Sequence, residues 1–475
     1  MRKITTLSLN DIDTIVTVCG WVETARFQKR FVFLKIYDSW KSHLQPLQVI
    51  FEEDNITDDL LKLTSGDSIK IYGRIVKSPK ELQPIELYGL SFQLLGKVKD
   101  PASYPIAKTE LTLEHLRGYP HLECFSATKS AIYGIRSLLL KGIESFFDQN
   151  DFTRTDMPLI TFSECEGGCQ PMQATLLLSS NEIKDIHSAN GKIDFSKDFF
   201  GKKASLTVSS QLELETQIPL GNVYTITRAV RGEPSATARH LAEFSMVELE
   251  MPFINSSKDI SQISEKLIKY AIKYVLGDEY GKLALELLSK KQKVDIISKL
   301  NEYIQADFVQ ITHHDAVKMM LEEKESGEVT FENPPSYSDD MSSEHEKFLT
   351  DLYKVPVIIK NYPKKVKAFY MPVVGSFTYE NETIEYVDCF DLIVPGVGEL
   401  VGGSSRIHNE SELEDRIEEL GLEKSPLEFY IDLRRNGSVK HGGMGMGFER
   451  LVKFVTFADS VKDCVSHPRY YKSEK

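Results

Sequence analysis

The apolar positions of this chain recur with two different periods, and the change of period divides it. Between residues 14 and 98 they alternate or run in short blocks at Ile15–Trp21, Phe31–Tyr37, Leu47–Phe51, Ile69–Ile75 and Ile85–Leu95. That pattern predicts five short strands, with a helical segment at Asp59–Leu63 between the third and fourth. From residue 129 the spacing turns helical. Ile132, Ile135, Leu139, Ile143 and Phe146 fall on one face, and the helix breaks into Thr153–Leu159, where Pro158 stands. Residues 257–325 are again helical, with Ile260, Ile263, Leu267, Ala271 and Val275 aligned. Residues 206–215 predict a strand then a turn, and Val355–Met371 and Glu385–Val397 read as strands. Two further stretches stand out. The apolar run Val223–Ile226 and the alternating run Met246–Met251 predict two antiparallel strands. Residues 442–447 alternate glycine with other residues, as a strand does where a backbone or ligand approaches closely, and a helix then starts at Phe448.

The fold class expected is α+β. Five strands with a helix in that place predict an OB-fold barrel over residues 1–100, an architecture that binds single-stranded nucleic acid by stacking bases on aromatics. Pro101, Pro105, Gly118 and Pro120 mark 101–128 as a linker and hinge. Residues 129–475 form a larger second domain with a helical insertion at about 257–325.

Composition narrows the class. The 475 residues suffice for two or three domains, and 41% hydrophobic with 27% charged content is that of a globular protein. No 18-residue apolar run and no basic leader with an apolar core is present, which argues against membrane spans and secretion. Of Cys19, Cys124, Cys165, Cys169, Cys389 and Cys464 only the third and fourth are neighbours, and no CxxC pair occurs, so reduced thiols in a cytoplasmic protein are expected. The net charge of −13 is uneven. Residues 1–100 carry 14 basic and 13 acidic side chains, a balance of +1, which leaves −14 for the remainder. A local basic patch is enough to hold phosphates, so a nucleic-acid partner stays open.

The candidate chemistry lies in the two unusual stretches. Between the paired strands runs Arg231-Gly232-Glu233, a small-residue loop Pro234–Ala238, and Arg239-His240-Leu241-Ala242-Glu243-Phe244. Guanidinium forks suit phosphate oxygens, and an aromatic ring suits a purine face. A salt-bridged hairpin is the plain alternative. Arg450 would sit in the first turn of the helix after the glycines, facing whatever they admit. No GxxxxGK[ST] run occurs, which argues against a P-loop nucleotidase. The acid-rich run around Asp339, Asp340, Glu344, His345 and Glu346 invites a metal, although a charged helix start accounts for it better.

Together the two stretches resemble motifs 2 and 3 of the class II aminoacyl-tRNA synthetases, and residues 129–159 resemble motif 1, the dimer interface of that family. The match is close to the eukaryotic-type asparaginyl-tRNA synthetases. Ile407 fits that type, and the chain begins almost at the barrel, without the long N-terminal extension of many eukaryotic relatives. The resemblance covers about residues 14–470. Gly232 replaces the alanine of the family's motif 2.

What the resemblance implies is ATP-dependent attachment of asparagine to its tRNA through an asparaginyl-adenylate, by a cytoplasmic homodimer using Mg2+. Arg231 would clamp the α-phosphate and the substrate carboxylate. Glu233 would accept from the adenine amine, and Phe244 and Arg450 would sandwich the base. Arg239, His240 and Arg450 would hold the distal phosphates. Glu399, with Asp391, would take Mg2+. Gly402 stands where related aspartate enzymes have a serine three residues after the metal glutamate. Glu166 would meet the substrate ammonium, and Gln211 and Arg406 would line the amino-acid pocket. Arg26, Phe33, Gln48 and Glu86 would read the anticodon, with Phe33 stacking a base, although alternation alone fits a core aromatic equally well. The aspartate enzymes carry a lysine where this chain has Leu214, so asparagine is favoured over aspartate, with Glu233 a possible acceptor for its amide. The runner-up readings are the aspartate enzyme and a tRNA-binding relative without catalysis.

Overall fold

The computed structural model describes the chain except residues 80–82, 107–110, 164–170, 179–187, 190–191, 236 and 474–475. Strands Ile15–Phe27, Phe31–Tyr37, Leu47–Glu52, Ser68–Lys77 and Ile85–Gly96 close into a barrel in the order first, second, third, fifth, fourth. A short helix, Asp58–Leu61, lies between the third and fourth strands, where the sequence pattern put one. Alternation builds the barrel core from Val32, Leu34, Ile36, Val49 and Ile71. Phe33 lies between two of these core residues on the opposite face and is only half-buried. The core-aromatic reading of Phe33 therefore fails on the period of the strand.

The second unit is an eight-stranded sheet. From one edge to the other its strands are Val309–Thr312, Val357–Lys360, Cys389–Val394, Gly398–Ser405, His441–Gly447, Glu243–Pro252, Asn222–Val230 and Phe152–Arg154. The central pairings are antiparallel, and the pair at each edge is parallel. Helices Ala127–Gln149, Ser257–Gly277, Glu279–Gln292 and Ile296–Gln305 cover one face and share its core. The insertion is thus helical, but it also supplies the edge strand Val309–Thr312.

Three expectations need correction. The apolar face of the helix Ala127–Gln149 was expected to need a partner subunit. Ile132, Ile135, Leu139 and Ile143 are instead buried within the chain, in one core with Leu267, Ala271 and Val275. In the segment 206–215 the strand is only the end of Ser205–Leu206, and the expected turn is a helix, Gln211–Glu215. It starts where Ser209 Oγ and the Ser210 amide both donate to the Glu248 carboxylate, which ties the turn before the helix to the sheet. Last, the linker is pinned rather than free. Arg117 pairs with Asp463 at 3.0 Å, and Glu123 pairs at 3.0 Å with Lys129, whose side chain is fully buried. The barrel is joined to the second unit by His43, which stacks on Tyr37 and shares a 3.0 Å hydrogen bond with Ser130 Oγ.

Candidate active site

A cavity of about 450 Å³ opens over the central strands of the sheet, on the face away from the helical layer. Its two ends differ in chemistry. At one end stand Arg231, Arg239, His240, Glu399 and Arg450; at the other, Gln211, Glu248, Glu250, Tyr370 and Arg406.

The first end is built by the loop between the paired strands and by the glycine strand. Register pairing Val230 with Glu243 brings Arg231 and Phe244 together at the loop base, where the Arg231 guanidinium lies 5.5 Å from the Phe244 ring centre. The Arg231 Nε also donates to the Val208 carbonyl at 3.3 Å. The loop is held down by hydrogen bonds from the Val461 amide to the Ala238 carbonyl and from the Ala242 amide to the Arg469 carbonyl. His240 Nδ1 bonds with Ser235 and Thr237 hydroxyls, and burial, then Arg450 and Arg239, lower its pKa, so the ring is neutral near pH 7. Gly445 and Gly447 line the cavity floor, as the glycine pattern implied. Helix Phe448–Thr456 starts directly after them, and its first turn presents Arg450. Arg450 Nη1 donates to the Glu399 carbonyl at 2.6 Å and to its carboxylate at 3.3 Å. Glu233 lines the same end.

The two acids expected to hold a metal converge. Asp391 lies cross-strand from Gly402, and a Cβ on Gly402 would stand 3.3 Å from Glu399 Oε1 and 3.7 Å from Asp391 Oδ1. The missing serine therefore leaves a space walled by two carboxylates. Burial raises the Glu399 pKa, but Arg450, Lys367 and Arg231 outweigh it and hold it low, so that carboxylate is charged. Burial raises Asp391, and Lys367, 2.7 Å away, opposes it. Hard oxygens with room beside them suit Mg2+, which takes one or two carboxylates and completes its shell with water and substrate phosphates. Among the described residues no group of three metal-ligating side chains forms a site alone. His345 is not aimed at a cation. Its Nδ1 accepts from the Ser342 amide as a helix cap, and its Nε2 meets the Asn333 carbonyl, which bears out the helix-start reading.

The second end is a buried ion network that sequence reasoning missed except for Gln211 and Arg406. Arg406, 4% exposed, donates to Glu250 at 2.5 Å and to Ser404 at 2.7 Å, and lies 3.6 Å from Glu215. Glu215 is also held by Arg434 at 2.9 Å, by His441 at 2.8 Å and by the Tyr430 hydroxyl. Burial would raise Glu215, but these cations pull it well below the carboxylate range. Burial raises Glu250, with Arg406 opposing. Gln211 spends one amide hydrogen on Glu215 at 3.0 Å. Leu214 is fully buried and does not line the cavity; its neighbour Glu215, also buried, lies behind the wall against Arg406, which lines the cavity, and Arg434. One signal was present in the sequence. The acids Glu248 and Glu250 alternate with apolar residues along the strand read at Met246–Met251, and both are under 4% exposed and line the cavity.

Glu166 lies outside the described residues. On the barrel, Arg26 pairs cross-strand with Phe33, and Gln48 with Lys35, all on the outer face. Gln48 donates at 3.0 Å to Glu86, which is buried and also accepts from Ser78. Of the four residues expected to act together there, Arg26, Phe33 and Gln48 share the outer surface, and Glu86 is buried beneath Gln48.

The family described as tRNA synthetases class II (D, K and N) matches residues 113–471, and that described as OB-fold nucleic acid binding domain matches residues 16–95. The chain belongs to the class II tRNA synthetases. Among its relatives, the asparagine–tRNA ligase of Pectobacterium atrosepticum is 39% identical over 463 residues, 96% of this chain and 95% of the relative. That of Haemophilus influenzae is 40% identical over 463 residues, with the same coverage. The crystal structure of asparaginyl-tRNA synthetase from Pyrococcus horikoshii with asparaginyl-adenylate superposes with a TM-score of 0.82 at 26% identity, covering 99% of this chain and 98% of that one. The Entamoeba histolytica asparaginyl-tRNA synthetase with asparaginyl-adenylate gives 0.79 at 26%. The relatives near 40% identity are bacterial, so the expected eukaryotic type finds no support in them.

Proposed function

We infer that this synthetase joins asparagine to its tRNA, using ATP and passing through asparaginyl-adenylate. The observation that carries the choice of amino acid is the charge balance around Arg406. Its guanidinium is already neutralised by Glu250 and Glu215, and Arg434 is neutralised by Glu215. A substrate carboxylate there would be buried without a spare cation and beside two acids, which is costly. A carboxamide fits instead: Arg406 donates to its oxygen, and Glu250 accepts from its NH2. Glu250 thus takes the acceptor role that the sequence reading offered to Glu233. An enzyme that exchanges pyrophosphate as well with aspartate as with asparagine would refute this choice.

Activation joins two anions, and positioning with charge neutralisation supplies the rate. Arg231 holds the substrate carboxylate and the α-phosphate in line. Arg239, His240 and Arg450 receive the departing phosphates, while Phe244 and Arg450 flank the adenine and Glu233 accepts from its amine. Glu399 and Asp391 hold Mg2+, which neutralises phosphate charge when bound. Gln211 lines the amino-acid pocket, and Glu166, by the resemblance, is assigned to the substrate ammonium. The barrel surface of Arg26, Phe33 and Gln48 takes the anticodon, with Glu86 orienting Gln48 from beneath. If Phe33 stacks a base, Phe33→Ala weakens tRNA binding by about 1–3 kcal/mol and spares pyrophosphate exchange. Equal loss of both would return Phe33 to a structural role.

The assembly we propose is a homodimer, and the cytoplasm is its compartment. Leu220 and Phe253, exposed at 57% and 79%, sit at the same end of the paired strands Asn222–Val230 and Glu243–Pro252, beside the edge strand Phe152–Arg154. Such an apolar edge suits an isologous contact. A stable particle of one-chain mass in light scattering would contradict it.

A further inference from the structure

Arg239 lies on a loop, yet one of its guanidinium nitrogens is held from outside that loop. Its Nη1 donates at 2.5 Å to Glu346 Oε2, on the helix Ser343–Tyr353 more than a hundred residues away. That helix is a firm base. Ser342 and His345 form a capping box at its start, and Leu349 and Thr350 are buried beneath it. The pair also fits a gap left for it in a third element. A Cβ on Gly398 would stand 2.5 Å from Glu346 Oε2 and 2.9 Å from Arg239 Nη1, and Gly398 has φ +87°, which disfavours any side chain. Gly398 immediately precedes Glu399. Three segments thus meet at one ion pair on the cavity wall, beside the acids Glu399 and Asp391.

A planar guanidinium has donors on more than one edge. Holding Nη1 on Glu346 fixes the plane of the fork and leaves Nε and Nη2 to address a ligand. Burial pushes the Glu346 carboxyl up to about 7, Arg239 opposes this, and Glu399 and Asp391 add to it. The carboxylate therefore depends on Arg239 for its counter-charge, just as the guanidinium depends on Glu346 for its orientation.

We propose that Glu346 is a positioning residue for ATP binding, which anchors Arg239 by Nη1 so that the rest of its fork is preset for the distal phosphates, with Gly398 giving the pair its room. The proposal rests on the reading of Arg239 as a phosphate ligand. Glu346 itself touches no substrate, and its effect passes through Arg239.

The test is a double-mutant cycle read by ATP–pyrophosphate exchange, with ATP and asparagine varied separately. Glu346→Ala should raise the KM for ATP by about tenfold and the KM for asparagine by less than about twofold. Glu346→Gln keeps an oxygen that accepts from Nη1 and should stay within about threefold of wild type. Gly398→Ala, which separates the pair while keeping both charges, should reproduce the ATP defect if the alanine variant of Glu346 does not fold. In an Arg239→Ala background neither Glu346→Ala nor Gly398→Ala should add to the loss. Full additivity, or an asparagine KM that rises as far as that for ATP, would overturn the proposal while leaving Arg239 a phosphate ligand. An Arg239→Ala enzyme with the wild-type KM for ATP would overturn the proposal by removing the reading beneath it.

Discussion

The two ends of the cavity solve opposite problems with the same residue types. At the amino-acid end Arg406 and Arg434 have side chains 3% and 1% exposed, and both are tied to Glu250 or Glu215 before any substrate arrives. At the phosphate end Arg239 and Arg450 are 26% and 23% exposed, and their partners Glu346 and Glu399 belong to other segments. A buried network with its charges spent reads shape and hydrogen bonds, and it rejects a charged analogue. Arginines at a half-open rim, each held by one nitrogen, keep their remaining donors for a polyanion. The comparison teaches that specificity and turnover are separated in space, one held by burial and the other by exposure.

The comparison breaks most visibly if the buried end is disarmed. Arg406→Ala leaves Glu250 and Glu215 short of a counter-charge in the interior, and unfolding free energy should drop by about 3–5 kcal/mol in a denaturant titration. A loss under about 1 kcal/mol would mean that water reaches the network. At the open end the expectation reverses. Arg450→Lys cannot both stack and fork, so exchange should fall at least about tenfold, some 1.4 kcal/mol of transition-state binding, with little change in the unfolding curve. Near-normal exchange would remove Arg450 from the site.

A smaller effect separates acid sensitivity from either end. His43 is buried at the junction of barrel and catalytic unit, and burial lowers it to about 4 from 6.5. The unfolded chain then binds the extra proton between those values, so stability falls as pH drops from about 6.5 towards 4. His43→Gln should reduce the stability lost between pH 7.5 and pH 5 by about 1–2 kcal/mol. An unchanged difference would place the titration elsewhere, His313 being lowered to about 4 in the same way.

How much of this was legible follows the same division. The phosphate end could be read because its residues are neighbours in sequence: Arg231, Glu233, Arg239 and His240 share one loop, Phe244 opens the strand after it, and Arg450 follows its glycines closely. The amino-acid end is assembled from Glu215, Glu250, Arg406, Arg434 and His441, and no local pattern joins five distant positions. Leu214 misled for that reason. The residue that meets Arg406 and Arg434 behind the cavity wall is the next one, because 211–215 coils into a helix, and one step around a helix changes the face. The barrel was legible throughout because a period of two fixes which residues point inward, and Phe33 only needed that period applied strictly. The dimer argument drawn from the helix Ala127–Gln149 failed because an apolar stripe says that it is covered, not by which chain.

The central claim is that the buried end is electrically complete and therefore selects a neutral side chain. It is tested most directly by kcat/KM for asparagine and for aspartate in ATP–pyrophosphate exchange with the wild-type protein. The account predicts a preference for asparagine on the order of 10⁴, and comparable values for the two amino acids would contradict it.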